Sequence, residues 1–154
     1  MPCNISIDNQ IVASGITSTD PPVVAGSSSG LLAMVVFVAN DGSNDVIQAS
    51  FSTDRGLSWN TPFTLSAAGQ NARSPSISGI ADGSRFTAIW IRNDGTNDVV
   101  QVRTFSSGVW GSIQTLSDNG QPAVGFPKVA SSSSGAVAQC GPGSMAPIIL
   151  SKRL

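Results

Sequence analysis

Two short polar segments hold the side chains of this sequence with the clearest potential for chemistry. Residues 40–45 and 93–98 share the pattern Asn-Asp-Gly-x-Asn-Asp, and the match extends to seven identities over nine positions. Such amides and carboxylates suit sugar hydroxyls or a calcium ion, although the spacing does not match an EF-hand loop and no metal site is expected. The alternative is structural, with Asp-Gly hairpin turns in which Asn and Asp bond to the local backbone. The candidate ligand-binding residues here are Asn40, Asp41, Asn44, Asp45, Asn93, Asp94, Asn97 and Asp98.

Trp90 and Arg92 complete the candidate ligand-binding set. They lie two positions apart, directly before the second polar segment. Alternate residues of a strand lie on one face, so an indole and a guanidinium would sit side by side, which suits sugar stacking. The alternative is that Trp90 packs in the core, because the aligned residue in the first copy is Phe37.

Three residue types that often perform catalysis are missing from the 154 residues. There is no His, Tyr or Glu, and all nine acidic residues are Asp. Serine nucleophiles would lack a His partner, because the sequence contains no His. We therefore expect no catalytic residues, no enzyme activity and no cofactor.

The charge and hydropathy of the sequence limit the classes of partner that the chain is expected to bind. A net charge of −1 with a pI near 5.0 gives no cationic field for phosphates, so nucleic acid is not expected. No run approaches the ~18 apolar residues of a membrane span, and the N-terminal residues lack the regions of a signal peptide. A soluble chain of unassigned compartment is expected. Cys3 and Cys140 are expected to be free thiols, because two distant cysteines make neither a metal knuckle nor a disulfide framework.

The two polar segments belong to an internal repeat of about 52 residues. Within a unit the periodicity is that of strands, with a continuous apolar run at 31–38 that predicts a strand covered on both faces. No segment has sustained helical spacing. The repeated landmarks are Pro22, Pro75 and Pro127, Gly30, Gly83 and Gly135, and Trp59 and Trp110. The predicted strands are 22–27, 31–39, 45–52 and 62–66 in the first copy and 75–80, 85–92, 98–105 and 113–117 in the second.

The segment from Ser52 to Trp59, Ser-Thr-Asp-Arg-Gly-Leu-Ser-Trp, resembles the Asp-box of the bacterial neuraminidase repeat in sialidase-like β-propellers. In that family the box is a structural turn between the last two strands of a blade. The resemblance implies structural roles for Ser52, Asp54, Gly56, Ser58 and Trp59. The second copy departs from the pattern, since residues 106–110 are shortened and lack the Asp. The sialidase apparatus also needs a Tyr and a Glu, so the resemblance extends to the fold and not to the activity.

The fold expected from repeat and resemblance is an all-β propeller with blades of four antiparallel strands. Blade 1 spans about 20–70, blade 2 about 74–121, and blade 3 about 126–154, completed by an N-terminal strand at 5–14. Three blades in permuted register are too few for a ring, so a homodimer of six blades is expected, with a different homo-oligomer or truncation from a longer propeller as the alternatives.

The expected function is therefore a non-catalytic, lectin-like module that binds glycans through its repeated loops. A structural or protein-interaction propeller module is the first alternative. A sialidase-like glycoside hydrolase remnant is the second.

Overall fold

The computed structural model describes residues 3–7, 10–16, 20–117, 123, 125–133, 135–139 and 148–151. These residues form fourteen strands and no helix, which confirms the all-β class. The strands are β1 (Cys3–Ile7), β2 (Gln10–Ile16), β3 (Val23–Gly26), β4 (Ala33–Asn40), β5 (Asp45–Ser52), β6 (Phe63–Thr64), β7 (Ala72–Gly79), β8 (Arg85–Asn93), β9 (Asp98–Ser106), β10 (Val109–Trp110), β11 (Gln114–Thr115), β12 (Lys128–Ser132), β13 (Gly135–Gln139) and β14 (Ile148–Ser151).

The strands make one hairpin and three antiparallel sheets. The N-terminal hairpin pairs β1 with β2. Sheet 1 has the order β3-β4-β5-β6, sheet 2 has β7-β8-β9-β10 with β11 also paired to β9, and sheet 3 has β12-β13-β14. Each sheet is a meander in which consecutive strands are neighbours. The described residues form an open series of sheets and no closed ring.

Two expectations about strand number were wrong. The single N-terminal strand predicted at 5–14 is instead β1 and β2, which pair with each other. The sequence Asp8-Asn9 lies between them, and these residue types favour turns. Sheet 2 also gains the two-residue strand β10, because β9 folds back through a tight hairpin before β11 begins.

β7 begins earlier than predicted and includes Pro75. The pairing register between β7 and β8 shifts between Arg73 and Ser76, and Ser74 has a φ of 56°. A bulge on an edge strand accommodates a proline, because no ladder hydrogen bond is required of its nitrogen there.

The sheets pack face to face through strand β4, as its continuous apolar run predicted. Met34, Val36 and Val38 belong to one buried cluster with residues of sheet 2, whereas Val35 and Phe37 belong to a second cluster with β2 of the N-terminal hairpin. Each such fully buried side chain contributes on the order of 1.5–3 kcal/mol. The sequence of β4 is thus explained by burial on both sides.

Strand β8 repeats this arrangement one sheet further along. Phe86, Ala88 and Trp90 face sheet 1, while Ile89 packs with Val129 of sheet 3. Aligned residues of successive units therefore point in the same direction along the stack. Each sheet therefore uses one face to pack against the element before it in the chain and the opposite face to pack against the element after it.

Connections between strands lie at two opposite ends of the stack. The Asn-Asp end carries 40–45, 65–71 and 93–97, and the box end carries 27–32, 53–62, 80–84 and 107–108. Among the described residues, no helix is long and apolar enough to cross a membrane. Cys140 lies outside the described residues, so the free thiols stay a prediction.

Candidate functional site

The two Asn-Asp loops, residues 40–45 and 93–98, form the same turn. Asp41 Oδ1 accepts hydrogen bonds from the N–H groups of Ser43 and Asn44 at 2.9 and 2.8 Å, and Asp94 Oδ1 accepts the equivalent bonds at 2.8 and 2.7 Å. The N–H of Asn44 contributes most to lowering the pKa of Asp41, and that of Asn97 to lowering the pKa of Asp94. Both carboxylates are charged at neutral pH, and both are occupied by hydrogen bonds from the backbone of their own loop.

The first Asn of each loop is also used internally. Asn40 and Asn93 accept a hydrogen bond from the following glycine N–H at 2.9 Å through Oδ1. Their Nδ2 groups donate to Asp45 at 3.0 Å and to Asp98 at 3.4 Å. Asp98 also forms an ion pair with Arg73 at 2.8 Å. Six of the eight predicted loop residues therefore have structural partners, as the turn interpretation expects.

The remaining loop residues are Asn44 and Asn97, whose side chains make no hydrogen bond to other described residues. Asn71 joins the two loops, because its Oδ1 accepts from the N–H of Asp45 and its carbonyl accepts from the N–H of Asn93, both at 2.9 Å. The stack thus places two matching amides, one per unit, at one end of the molecule. No group of three or more metal-ligating side chains occurs in the described part of the chain.

The structure does not present Trp90 and Arg92 as a pair at the surface. Trp90 has no exposed surface, and its Nε1 has no hydrogen-bond partner among the described residues. Arg92 donates to the carbonyls of Ala67, Ala68 and Asn93 at 3.2, 3.0 and 3.1 Å. Burial of the indole favours the packing interpretation, and Arg92 fixes the 65–71 connection.

The predicted box segment is a turn held by Asp54. Its Oδ1 accepts from the hydroxyl of Ser52 at 2.8 Å and from the N–H of Ser58 at 2.9 Å, and its Oδ2 accepts from the Ser58 hydroxyl at 2.5 Å. Trp59 Nε1 donates to the carbonyl of Gly56, which has a φ of 85°. The Ser58 hydroxyl is the largest cause of the lowered pKa of Asp54. All five predicted box residues take part in or adjoin this turn.

A cleft of about 460 Å³ lies between sheets 1 and 2 at the box end, where no ligand-binding residue was predicted. We call it the inter-sheet cleft. Its floor is formed by Met34, Phe51, Phe86 and Phe105, and none of the described residues that line it is ionisable. Hydroxyl-bearing residues form its rim, namely Ser52, Thr53, Ser84, Ser106 and Ser107. Its volume lies within the range of small-molecule sites.

Phe105 is at the centre of an aromatic cluster in this cleft. Its ring centroid lies 5.4 Å from that of Phe51, 6.4 Å from that of Phe86 and 5.4 Å from that of Trp110. These tilted and edge-on contacts are the favourable geometries for aromatic rings. A second cavity of about 310 Å³ adjoins the other side of the Phe51 and Phe105 pair.

The shortened second copy of the box forms one wall of the cleft. Ser107 and Gly108, at φ of 53° and 83°, make a two-residue hairpin in which Ser106 pairs with Val109. Two positive φ values in succession are those of a type I′ turn. The equivalent connection in sheet 1 runs from 53 to 62. The deletion seen in the sequence could have identified this wall, but not the residues opposite it.

Arg103 links sheets 1 and 2 beside the second cavity. Its Nη1 donates to the carbonyl of Leu65 at 3.1 Å, its Nε donates to that of Gly111 at 2.7 Å, and its guanidinium lies 5.4 Å from the ring centroid of Phe63. Burial lowers the pKa of Arg103, but an arginine stays charged at neutral pH. The aligned residue in sheet 1 is Ser50, so the repeat alone did not indicate this role.

The sequence of this chain matches no protein-family model, and no curated protein matches it either. The function must therefore be argued from the chain's own residues.

Proposed function

We propose that the chain is a non-catalytic β-propeller module with a lectin-like function, which binds carbohydrate at its repeated Asn-Asp loops. The propeller part of the proposal is supported by successive antiparallel meanders that stack face to face with aligned residues in equivalent positions. Contacts between the hairpins of neighbouring sheets join residues that occupy equivalent positions in the repeat. Ser28 bonds to Ala81 and Ser131 bonds to Ser78, in each case across 53 positions.

A second copy of the chain would close the ring. Sheet 3 has three strands in the described residues, whereas sheet 1 has four. We propose that β2 of the N-terminal hairpin of one chain pairs with sheet 3 of the other as its fourth strand, giving six blades from two chains. Size-exclusion chromatography with light scattering should give twice the chain mass of 15.7 kDa. A stable monomer at micromolar concentration would contradict this assembly, whatever the ligand.

The single observation that carries the binding function is the pair of matching amides, Asn44 and Asn97, on loops joined through Asn71. Amide groups both donate and accept hydrogen bonds and so suit sugar hydroxyls. Identical weak sites add by avidity when a ligand engages several at once. The described Asp residues with lowered pKa values hold turns, so they are poor candidates for acid or base catalysis.

A glycan array probed with the assembled protein tests this function. We expect binding to clustered glycans, and we expect the double variant Asn44→Ala and Asn97→Ala to lose at least ~10-fold in apparent affinity because both amides are removed. The control is Gln114→Ala, which removes an exposed amide elsewhere. Unchanged binding by the double variant would refute the loop assignment.

A protein-interaction module is the second candidate. Leu31 and Leu57 are 45% and 71% exposed, and their turns are joined by the hydrogen bond from Arg55 N to the Leu31 carbonyl at 3.1 Å. Neighbouring exposed apolar side chains mark interaction surfaces. Absence of glycan binding by the assembled protein at high concentration would favour this candidate.

A further inference from the structure

We propose that the inter-sheet cleft is a separate binding site for a small, uncharged and largely apolar molecule of two to three rings. The site is independent of the Asn-Asp loops, because it lies at the opposite end of the stack. It goes beyond carbohydrate binding, since its floor is built from Phe and Met side chains.

The charge and shape of the cleft define the ligand. The lining contributed by the described residues contains no ionisable side chain, so a charged molecule would lose its hydration without gaining an ion pair there. An apolar cavity of about 150 Å³ accommodates benzene, and the inter-sheet cleft measures about 460 Å³. A molecule of two to three rings therefore fits it. Phe51 and Phe105, both partly exposed, would pack against the rings of the ligand.

The rim supplies hydrogen-bonding groups at the mouth. The hydroxyls of Ser106 and Ser107 make no hydrogen bond to other described residues, and both residues are exposed. A ligand with one polar group could therefore direct it outward to these hydroxyls while its rings contact the floor. This combination of an apolar floor and few polar groups is typical of small-molecule sites.

The residues that form the inter-sheet cleft are not repeated from one unit to the next, so the cleft is not a general feature of the fold. The residues of sheet 2 aligned with Met34 and Phe51 are Thr87 and Thr104, which share a strand face with Ile89 and Val102, the residues that pack with Val129 of sheet 3. The aromatic floor is thus particular to the boundary between sheets 1 and 2. We expect one such site per chain, in contrast to the two Asn-Asp loops.

Titration with N-phenyl-1-naphthylamine, a neutral three-ring probe that fluoresces in apolar surroundings, tests the proposal on the full chain. We expect saturable binding at one site per chain. The variant Ser106→Trp places an indole in the mouth and should weaken binding at least ~10-fold, whereas Ser112→Trp, an exposed serine outside the cleft, should stay within ~2-fold. Thermal melting and light scattering of each variant exclude unfolding or aggregation as the cause.

The variant Phe105→Ala provides a second measure, since it removes the central ring of the floor. At a temperature where it remains folded, it should also weaken the probe at least ~10-fold. Equal binding by wild type and Ser106→Trp, non-saturable binding, or no binding would overturn the proposal. Because the Asn44→Ala and Asn97→Ala variant should bind the probe normally, failure here leaves the carbohydrate proposal standing.

Discussion

The burial of Trp90 gives a quantitative test of the core between sheets 1 and 2. The side chain has no exposed surface, and its Nε1 lacks a hydrogen-bond partner in the part of the chain that the structure describes. Removal of a buried tryptophan to alanine costs about 3–5 kcal/mol through lost contacts and the cavity left behind. Since domains are stable by about 5–15 kcal/mol, Trp90→Ala should lower the urea midpoint strongly.

Trp90→Phe is the matched variant, because Phe37 occupies the aligned position in sheet 1. The smaller ring gives up about 1 kcal/mol of apolar burial. It also removes a buried N–H without a partner, a feature that costs about 1–3 kcal/mol. The two effects oppose each other, so the phenylalanine variant should stay within about 1 kcal/mol of wild type.

Urea unfolding followed by circular dichroism at one fixed protein concentration measures both variants, and equal m-values show that the comparison is valid. The reasoning fails if Trp90→Phe is as damaging as Trp90→Ala. It also fails if Trp90→Ala costs less than about 1 kcal/mol, because the indole would then not be packed in a core.

Three further predictions concern single residues. Gly83→Ala should lower the free energy of unfolding in urea titrations by at least about 1 kcal/mol more than Gly30→Ala does. Both glycines have positive φ, but of the two only Gly83 would bring a Cβ against another side chain, at 2.6 Å. Equal effects of the two substitutions would contradict close packing at Gly83. Arg103→Ala should lower stability by about 1–3 kcal/mol through loss of its bond to Leu65, and an unchanged melting temperature would contradict that link. The pKa of Asp54 is below its ordinary 3.8, so the stability contributed by the charged carboxylate is complete above pH 3.8 and is lost as pH falls through the lowered pKa. Asp54→Asn should therefore flatten the dependence of the melting temperature on acidic pH. An unaltered pH profile would argue that Asp54 does not hold the box turn.

The fold class and the positions of most strands could be predicted from the sequence because burial on both faces leaves a continuous apolar run. Met34 to Val38 shows this, since alternate residues face different neighbours and all must be apolar. The internal bonding of Asp41 and Asp94 was also accessible, because the sequence around each contains an Asp-Gly turn. Local chemistry determines such features.

The inter-sheet cleft and the role of Arg103 could not be predicted, because both depend on contacts between different units. Phe51 and Phe105 occupy different positions in their units and meet only when sheet 2 packs on sheet 1. Likewise, the carbonyl that Arg103 binds belongs to Leu65, which is 38 residues away. The N-terminal hairpin was also not predicted, although Asp8-Asn9, two residue types that favour turns, lies between its strands in the sequence.

The stacking of unlike faces has a consequence for assembly. Aligned residues of successive sheets point in the same direction along the stack. A contact between the N-terminal hairpin of one chain and sheet 3 of another therefore joins two different surfaces. Such heterologous contacts produce closed rings when the rotation between subunits divides a full turn, and helical filaments when it does not. Gly83 and Arg103 lie where the units of sheets 1 and 2 meet, so a substitution at either that changed the angle between these sheets would change whether assembly closes into a ring or continues into fibres.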